Sequence, residues 1–395
     1  MKEPARFPCH LCGAGVRPLE NYPLFCRVTS DCQPWNPGGA LGICSGCGGL
    51  VVRADAAWRQ ECERIYTEYR IYHQSGGAEQ VVAQASAEPV GRSQALLEHL
   101  HANLPVPTLG RLLDVGCGNG GFLRSFTRRF PGWTAVGSEF DAKHRQEVEA
   151  IPGVEKLHVG PVENLSGGFD LISLVHVLEH IENPVGLLES LRRLLRPGGR
   201  LLVQLPYYVL NPVELLIADH ATHFSTHSLR RLLERSGWRV RVMTSDWIAK
   251  ELSCVAEFGP PADSSRAQTP QAQSPVAPDD ERLPEAAIRW ISSFSAAAHA
   301  AAAEAQIRGG PLGIFGTAIA GIWLAGELGE KARFFVDEDP DRVGKTLQGL
   351  PVLAPSSLPA GATVFMGVSP VIAHRIAERI QRENLFLVPP PANPC

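Results

Sequence analysis

Apolar positions recur along this chain in two rhythms, and the changes of rhythm divide it into regions. Residues 1–50 show little periodicity of either kind and are rich in Cys, Gly and Pro. In residues 58–72, WRQECERIYTEYRIY, Trp58, Cys62, Ile65, Tyr66 and Tyr69 fall near one face at helical spacing, which predicts an amphipathic helix. A second helix is expected over Gln94–His101. From Arg111 to about Phe258 short apolar runs alternate with amphipathic stretches. RLLDVG, TAVGSE, FDLISLV and RLLVQLP read as buried strands, and GGFLRSFTRR, PVGLLESLRRLL and SLRRLLERSG as helices, the last two closed by Gly198 and Gly237. This alternation implies a parallel sheet with helices on both faces.

Residues 259–285 carry much Pro, Ser, Gln and Ala and few large apolar groups. Too little surface can be buried there to offset ordering entropy, so a linker or long surface loop is expected. An Ala-rich helix follows over about Pro284–Arg308. Strand-like LGIFG, RFFVDED and TVFMGVS and the helix VIAHRIAERI then form a second, smaller α/β unit.

Length changes the picture first, because 395 residues exceed one ordinary core and imply two or three domains. Apolar residues make up 44% and charged residues 20%, a globular balance, and a net charge of -4 provides no strong field for nucleic acid or anionic lipid. The N-terminal MKEPARFPCHLC lacks the apolar core of a secretion signal, and no apolar run is long enough to cross a bilayer. A soluble, cytoplasmic protein without a membrane partner is therefore expected. In that setting ten cysteines, six of them between Cys9 and Cys47, call for a reason other than disulfides.

The sharpest chemical signal is Asp114-Val115-Gly116-Cys117-Gly118-Asn119-Gly120, directly after an apolar strand and before a helix. Alternate glycines let the backbone turn tightly and approach a ligand closely. The dinucleotide fingerprint is G-x-G-x-x-G, and its pyrophosphate is disfavoured beside a carboxylate. Asp114 at the strand end instead suits a ligand with an ammonium group, such as the methionine moiety of S-adenosylmethionine. Glu139, about one β-α unit further on, is placed to accept hydrogen bonds from ribose hydroxyls.

On these residues, with FDLISLVHVLEHIENP and LRPGGRLLVQLP, residues 105–258 resemble a class I S-adenosylmethionine-dependent methyltransferase. The resemblance implies that Asp114, Gly116, Gly118, Asn119 and Glu139 hold the cofactor. His176 and Glu179, in the segment His176–His180, would pass beside its sulfonium. The family often has an Asp before its adenine-binding loop. Here that position is Pro161, which leaves adenine to the Val162 backbone and Glu163.

Cys9-x-x-Cys12 and Cys44-x-x-Cys47 make two knuckles. Each C-x₂-C turn points two thiolates at one place, and two such turns complete a tetrahedral sulfur site for zinc. With all four ligand places filled by sulfur, the metal is expected to be structural, and Cys26 and Cys32 are expected to be spectators.

The whole layout resembles the sugar C-methyltransferases that act on nucleotide-linked deoxysugars: an N-terminal zinc-binding domain, a methyltransferase core and a C-terminal Rossmann-like domain. The implied fold class is α/β throughout. The corresponding boundaries are a zinc-binding domain at 1–54, a helical connector at 55–104, the methyltransferase domain at 105–258, a linker at 259–285 and a Rossmann-like unit at 286–395. In such enzymes a His–carboxylate pair assists proton removal next to a keto group, and the matching pair is His220 with Asp219. A Tyr usual three residues before that His is Ile217 here. Methyl transfer itself is in-line displacement, so the acceptor is what needs a base, and an oriented imidazole suits that task. His176, Tyr207, Tyr208 and His223 are the other candidates.

In the C-terminal unit Gly316 and Thr317 are placed to face a nucleotide diphosphate, whereas Asp337, Asp339 and Asp341 read as a solvated turn. The expected partner is a small molecule, a nucleotide-linked sugar or related glycan precursor, with no nucleic acid, and the protein a monomer or homodimer. O- or N-methylation of another metabolite is the alternative. Two further readings are a nucleotide-sugar dehydratase or oxidoreductase and a zinc-ribbon RNA-binding protein. The acidic balance and the lack of a basic run with interleaved aromatics weigh against the last.

Overall fold

The computed structural model describes residues 6–69, 81–82, 90–258, 282–380 and 384–392. The expected linker lies outside the described residues as far as residue 281.

At the N-terminus, strands β1 (Phe7–Pro8), β2 (Gly15–Pro18), β3 (Leu41–Cys44) and β4 (Leu50–Val52) form an antiparallel sheet in that order. Two tight turns interrupt it, closed by Gly13 N–H to Cys9 O (2.7 Å) and Gly48 N–H to Cys44 O (3.0 Å). Each needs a left-handed residue, supplied by Gly13 (φ 80°) and Gly48 (φ 69°). The fifth strand of this sheet, Thr222–His223, comes from far down the chain, with Thr222 opposite Val51 and His223 opposite Leu50. Helix α1 (Ala56–Glu68) starts where the Asp55 side chain caps the Trp58 amide at 3.1 Å. It buries Trp58, Cys62 and Ile65, and the Trp58 indole donates to the Ala218 carbonyl at 2.9 Å.

Helix α2 (Arg92–Asn103) leads into a seven-stranded sheet. Its strands are β5 (Gly110–Val115), β6 (Trp133–Glu139), β7 (Val154–Val159), β8 (Phe169–Val175), β9 (Leu195–Pro206), β10 (Trp238–Thr244) and β11 (Glu251–Phe258). Their spatial order is β7-β6-β5-β8-β9-β11-β10. The first five are parallel, whereas β11 runs antiparallel to both its neighbours. The link from β10 to β11 is too short for a helical crossover, so the pair closes as a hairpin. The all-parallel expectation is corrected at that edge. Helices α3 (Gly121–Arg129), α4 (Pro184–Leu194) and α5 (Thr226–Arg235) complete the layers. Gly237 (φ 77°) follows α5 as expected, but α4 ends at Leu194, before Gly198. Two apolar clusters cover the sheet, one including Phe122, Phe126 and Trp133, the other Leu188, Leu191 and Leu229. Each such fully buried side chain contributes about 1.5–3 kcal/mol.

After α6 (Leu283–Arg308) a second sheet follows. It comprises β12 (Leu312–Phe315), β13 (Ala332–Val336), β14 (Thr346–Leu347), β15 (Leu350–Leu353), β16 (Thr363–Met366) and β17 (Phe386–Val388), in the order β14-β15-β13-β12-β16-β17. Trp290 and Phe294 of α6 and Trp323 of α7 (Ile319–Leu328) share one core with Tyr22 and Leu41 of the N-terminal unit and with Leu215 and Leu216. The first and last regions of the chain are thus joined through a common core. No described helix is long and apolar enough to cross a membrane.

Candidate active site

The strand order of the central sheet reverses between β5 and β8, which opens a crevice beyond their carboxyl ends. Asp114 and the glycine loop lie there. Gly116, Gly118 and Gly120 have φ values of 66°, 55° and 83°, and a Cβ on Gly116 would come 2.5 Å from Val177. The close approach needs glycine. Asp114 is buried and accepts from Ser173 Oγ at 2.7 Å. Burial, aided by the charge of Glu139 and opposed by Ser173, raises its carboxyl to about 7. Glu139, at the end of β6, accepts from the Gly118 amide at 2.6 Å and from the Phe140 amide at 3.3 Å. Burial raises this carboxyl too. Among the described residues no cation pairs with Asp114. One buried and one half-buried acidic group thus flank a loop of open backbone, a setting that favours a cationic ligand with hydroxyl donors.

Asn119 is buried in the same loop, and its carbonyl accepts from Arg124 at 2.8 Å. Val162 and Glu163 sit in a short 3₁₀ turn, Val162–Asn164, beside Glu139, whose carbonyl accepts from the Gly160 amide at 2.9 Å. Val162 is buried and faces inward, but Glu163 is exposed.

After β8 the chain turns at His176, a non-glycine residue with φ 55°. Its Nε2 lies 2.9 Å from Arg92 and 3.2 Å from Glu251, and its Nδ1 3.4 Å from Glu179. Burial and the Arg92 guanidinium pull His176 down, but the carboxylates of Glu251 and Glu179 outweigh them and hold it at about 9. The His220 ring packs edge-on against His180, with centroids 4.7 Å apart, and lies 5.6 Å from the ring of His223. Burial, reinforced by neighbouring histidines, depresses His220 well below its ordinary range and His223 to about 3. Both imidazoles are neutral near pH 7.

The pairing of Asp219 with His220 expected from the sequence is not the one formed. The Asp219 carboxylate accepts from Ser30 Oγ (2.5 Å) and Ser30 N–H (2.9 Å), and lies 3.5 Å from His180 Nδ1. That nitrogen is also within 3.1 Å of the Asp219 carbonyl and of Tyr66 Oη. His180, Arg92, Glu251, Ser173 and Ser30 were not singled out as site residues by sequence reasoning. Only His180 carried any signal, as an ionisable residue inside the segment His176–His180. Tyr207 and Tyr208 flank the crevice side of β9, and Tyr208 is packed in the shared core.

Beside this cluster, between the N-terminal unit and the core, lies a cleft of about 550 Å³ lined in part by Thr29, Asp31, Arg64, Tyr69 and Lys143. Thr29 and Asp31 flank Ser30, which ties the cleft to Asp219.

The four knuckle cysteines converge. Cys9 Sγ is 3.8 Å from Cys47 Sγ and Cys12 Sγ 3.3 Å from Cys44 Sγ, and one sulfur from each lies within 4.8 Å of the others. A tetrahedral zinc with bonds of about 2.3 Å places its sulfurs about 3.8 Å apart, so the set fits that ion. Cys26 lies apart, its amide bonded to Glu327 of α7 at 2.9 Å. In the C-terminal unit Thr317 Oγ1 donates to Asp337 at 2.5 Å and receives Arg342 at 2.9 Å. Asp339 and Asp341 continue a turn of side-chain-to-amide bonds.

Residues 91–241 match a family model described as a methyltransferase domain. The chain is 29% identical over 175 residues to trans-aconitate 2-methyltransferase of Deinococcus radiodurans, covering 44% of this chain and 58% of that protein. It is 32% identical over 114 residues to a ubiquinone biosynthesis O-methyltransferase of Xanthomonas oryzae pv. oryzae, covering 27% and 46%. The chain spans about half the length of these curated relatives. Among solved structures it superposes on a mitomycin 7-O-methyltransferase with a TM-score of 0.38 and 20% identity, over 42% of this chain and 53% of that one. For a methyltransferase of calicheamicin biosynthesis in its S-adenosylhomocysteine-bound form the TM-score is 0.35 and the identity 24%, over 42% and 54%.

Proposed function

We propose that this chain, whose residues 91–241 are a methyltransferase domain, transfers the methyl group of S-adenosylmethionine to a small molecule. The observation that carries the reading is the pair of carboxyls, buried Asp114 and half-buried Glu139, on either side of the left-handed glycine loop. Asp114 would take the ammonium of the methionine moiety, Gly116, Gly118 and Asn119 would let the ligand lie against backbone, and Glu139 would accept from the ribose. Val162 would cover the adenine, with Glu163 at its solvent edge. S-adenosylmethionine supplies an electrophilic methyl group when bound.

The acceptor belongs at the histidine cluster. There His176 carries positive charge, which favours an acceptor developing negative charge as its proton leaves. His220 is neutral, so its lone pair is open either to a departing proton or to a cation that in turn activates the acceptor. Asp219 acts as a positioning residue through His180. For the acceptor itself we favour a nucleotide-activated sugar methylated at carbon. The cleft beside Ser30 supports this in its size, and its wall carries two cations for a diphosphate, Arg64 and Lys143, together with Asp31 and Glu68 as acceptors for sugar hydroxyls. A hydroxyl acceptor is the second reading, favoured by the match to an O-methyltransferase. The four-cysteine cluster is assigned to a structural zinc ion, with no open position for water or substrate.

Calorimetry tests the core of this reading. Pure protein should give saturable heat with S-adenosylmethionine and with its demethylated product, and no heat with either would overturn it. Mass spectrometry of a co-purified ligand decides the acceptor class, and a nucleotide-sugar is the expected result.

A further inference from the structure

Glu179 is the least explained side chain of the site. It is 1% exposed, yet among the described residues neither carboxylate oxygen has a hydrogen-bond partner within normal length. The nearest cation, His176 Nδ1, stands 3.4 Å away on one side, beyond hydrogen-bond length. On the other side one oxygen of Glu179 and one nitrogen each of His180 and His220 lie within 4.8 Å of one another. A buried carboxylate held by a single long ion pair and facing two further imidazoles is costly unless a second cation completes the group.

We propose that Glu179, His180 and His220 form a binding site for a divalent transition-metal ion, separate from the four-cysteine cluster. The donor set of two imidazoles and one carboxylate suits first-row divalent ions such as Zn²⁺, Fe²⁺ and Co²⁺. The surroundings of His180 supply the outer partner such a ligand needs. Its Nδ1 lies 3.1 Å from the Asp219 carbonyl and 3.5 Å from the Asp219 carboxylate, which fixes the proton there and leaves Nε2 for the ion. Asp219 is in turn held by Ser30 at 2.5 Å and 2.9 Å, so the outer layer is itself anchored. The backbone holds the three ligands in register, because the Ala221 amide donates to the Glu179 carbonyl at 2.7 Å. That bond locks the His220 segment against the turn that carries Glu179 and His180.

Three protein ligands leave positions open, unlike the sulfur cluster. Val177, two residues before Glu179, packs over Gly116, so the site sits beside the glycine loop. On the methyl-transfer reading, and only there, an open position would receive an oxygen of the acceptor.

Cobalt separates the two sites without reference to methyl transfer. Metal-stripped full-length protein titrated with Co²⁺ should bind two ions per chain. One should show intense thiolate-to-cobalt charge transfer, and the other only weak visible bands. Glu179→Gln and His220→Ala should each abolish the second ion and keep the thiolate band, which also reports that the variant is folded. Binding of a single Co²⁺ by the unaltered protein, or a second ion retained by both variants, would overturn the site. Should a variant lose the thiolate band, the unaltered protein decides alone. Its second Co²⁺ must shift two exchangeable imidazole N–H resonances, and their absence overturns the proposal. None of these outcomes depends on whether S-adenosylmethionine binds, so failure here leaves the methyltransferase reading standing and the converse holds.

Discussion

Val51 and Thr222 face each other in an antiparallel pair, so the cysteine unit and the segment that carries Asp219 and His220 share one sheet. The pairing continues through Val52 N–H to the Ala221 carbonyl at 3.0 Å. Disorder in the knuckles must therefore reach the histidines. Cys44→Ser is expected to lose the sulfur-bound metal and to lower turnover by about a hundredfold, the order of effect seen when a reacting group is misplaced by about 1 Å. Binding of S-adenosylmethionine should stay nearly unchanged, because the glycine loop is built on the central sheet and not on the cysteine unit. Metal analysis alongside donor calorimetry checks both halves, and full turnover in a metal-free variant would break the link.

Asp114 gives a pH signature. Its carboxyl is raised to about 7 by burial, so the folded protein favours the protonated form. The stability this group lends is fully present below about pH 4 and is lost as pH rises through about 7. A bound ammonium reverses the preference by favouring the carboxylate. Affinity for S-adenosylmethionine should therefore climb with pH up to about 7 and level off above it, with a proton released on binding in the lower range. Calorimetry in buffers of different ionisation heat measures that proton. Asp114→Asn should flatten the profile and weaken binding by about tenfold or more, the scale of one lost charged hydrogen bond.

The arrangement proposed to hold the donor was legible in the sequence because its residues are local. One strand, one turn and the next strand end contain Asp114, Gly116, Gly118 and Glu139, and the apolar runs that place them have a clear period. The knuckles were legible for the same reason, each being a four-residue pattern. The acceptor half was not. Thr222–His223 is a two-residue strand without any period, and it pairs with a strand about 170 residues earlier. The resemblance pointed to Asp219 and His220 as a pair, yet the side chains of successive residues leave the backbone in different directions. The carboxylate meets Ser30 and His180 instead. Arg92 and Glu251 reach His176 from the helix before the sheet and the strand near its far edge, a meeting that only tertiary packing creates.

Gly116 offers a steric test of the cradle. Its φ of 66° is costly for a residue with a Cβ, and the added carbon would stand 2.5 Å from Val177. Gly116→Ala should destabilise the fold by roughly 1–3 kcal/mol, the usual scale for such strain. Donor binding should weaken further, because the loop must yield where the ligand lies. Gly116→Ala combined with Val177→Ala should recover part of the stability through the relieved clash, but not the part due to φ. Chemical denaturation of the single and double variants separates the two causes, and identical midpoints for both would show that Val177 is irrelevant.

Asp219→Asn discriminates positioning from direct contact with the acceptor. The substitution keeps the shape of the side chain and leaves Ser30 with an oxygen to donate to, but removes the charge beside His180. The His180 ring is then free to take the other tautomer, because the amide can donate as well as accept. Donor affinity should be unchanged and turnover should fall, with the loss residing in kcat and the acceptor KM little moved. A direct contact would instead raise KM for the acceptor as well. The ¹⁵N signals of the His180 ring give the second readout, since a group acting through His180 changes its tautomer and a purely structural role leaves the tautomer in place. Ser30→Ala should reproduce the direction of the effect more weakly, because one of the two bonds from Ser30 comes from its backbone amide and survives. Unaltered kcat in both variants would remove Asp219 from the acceptor chemistry.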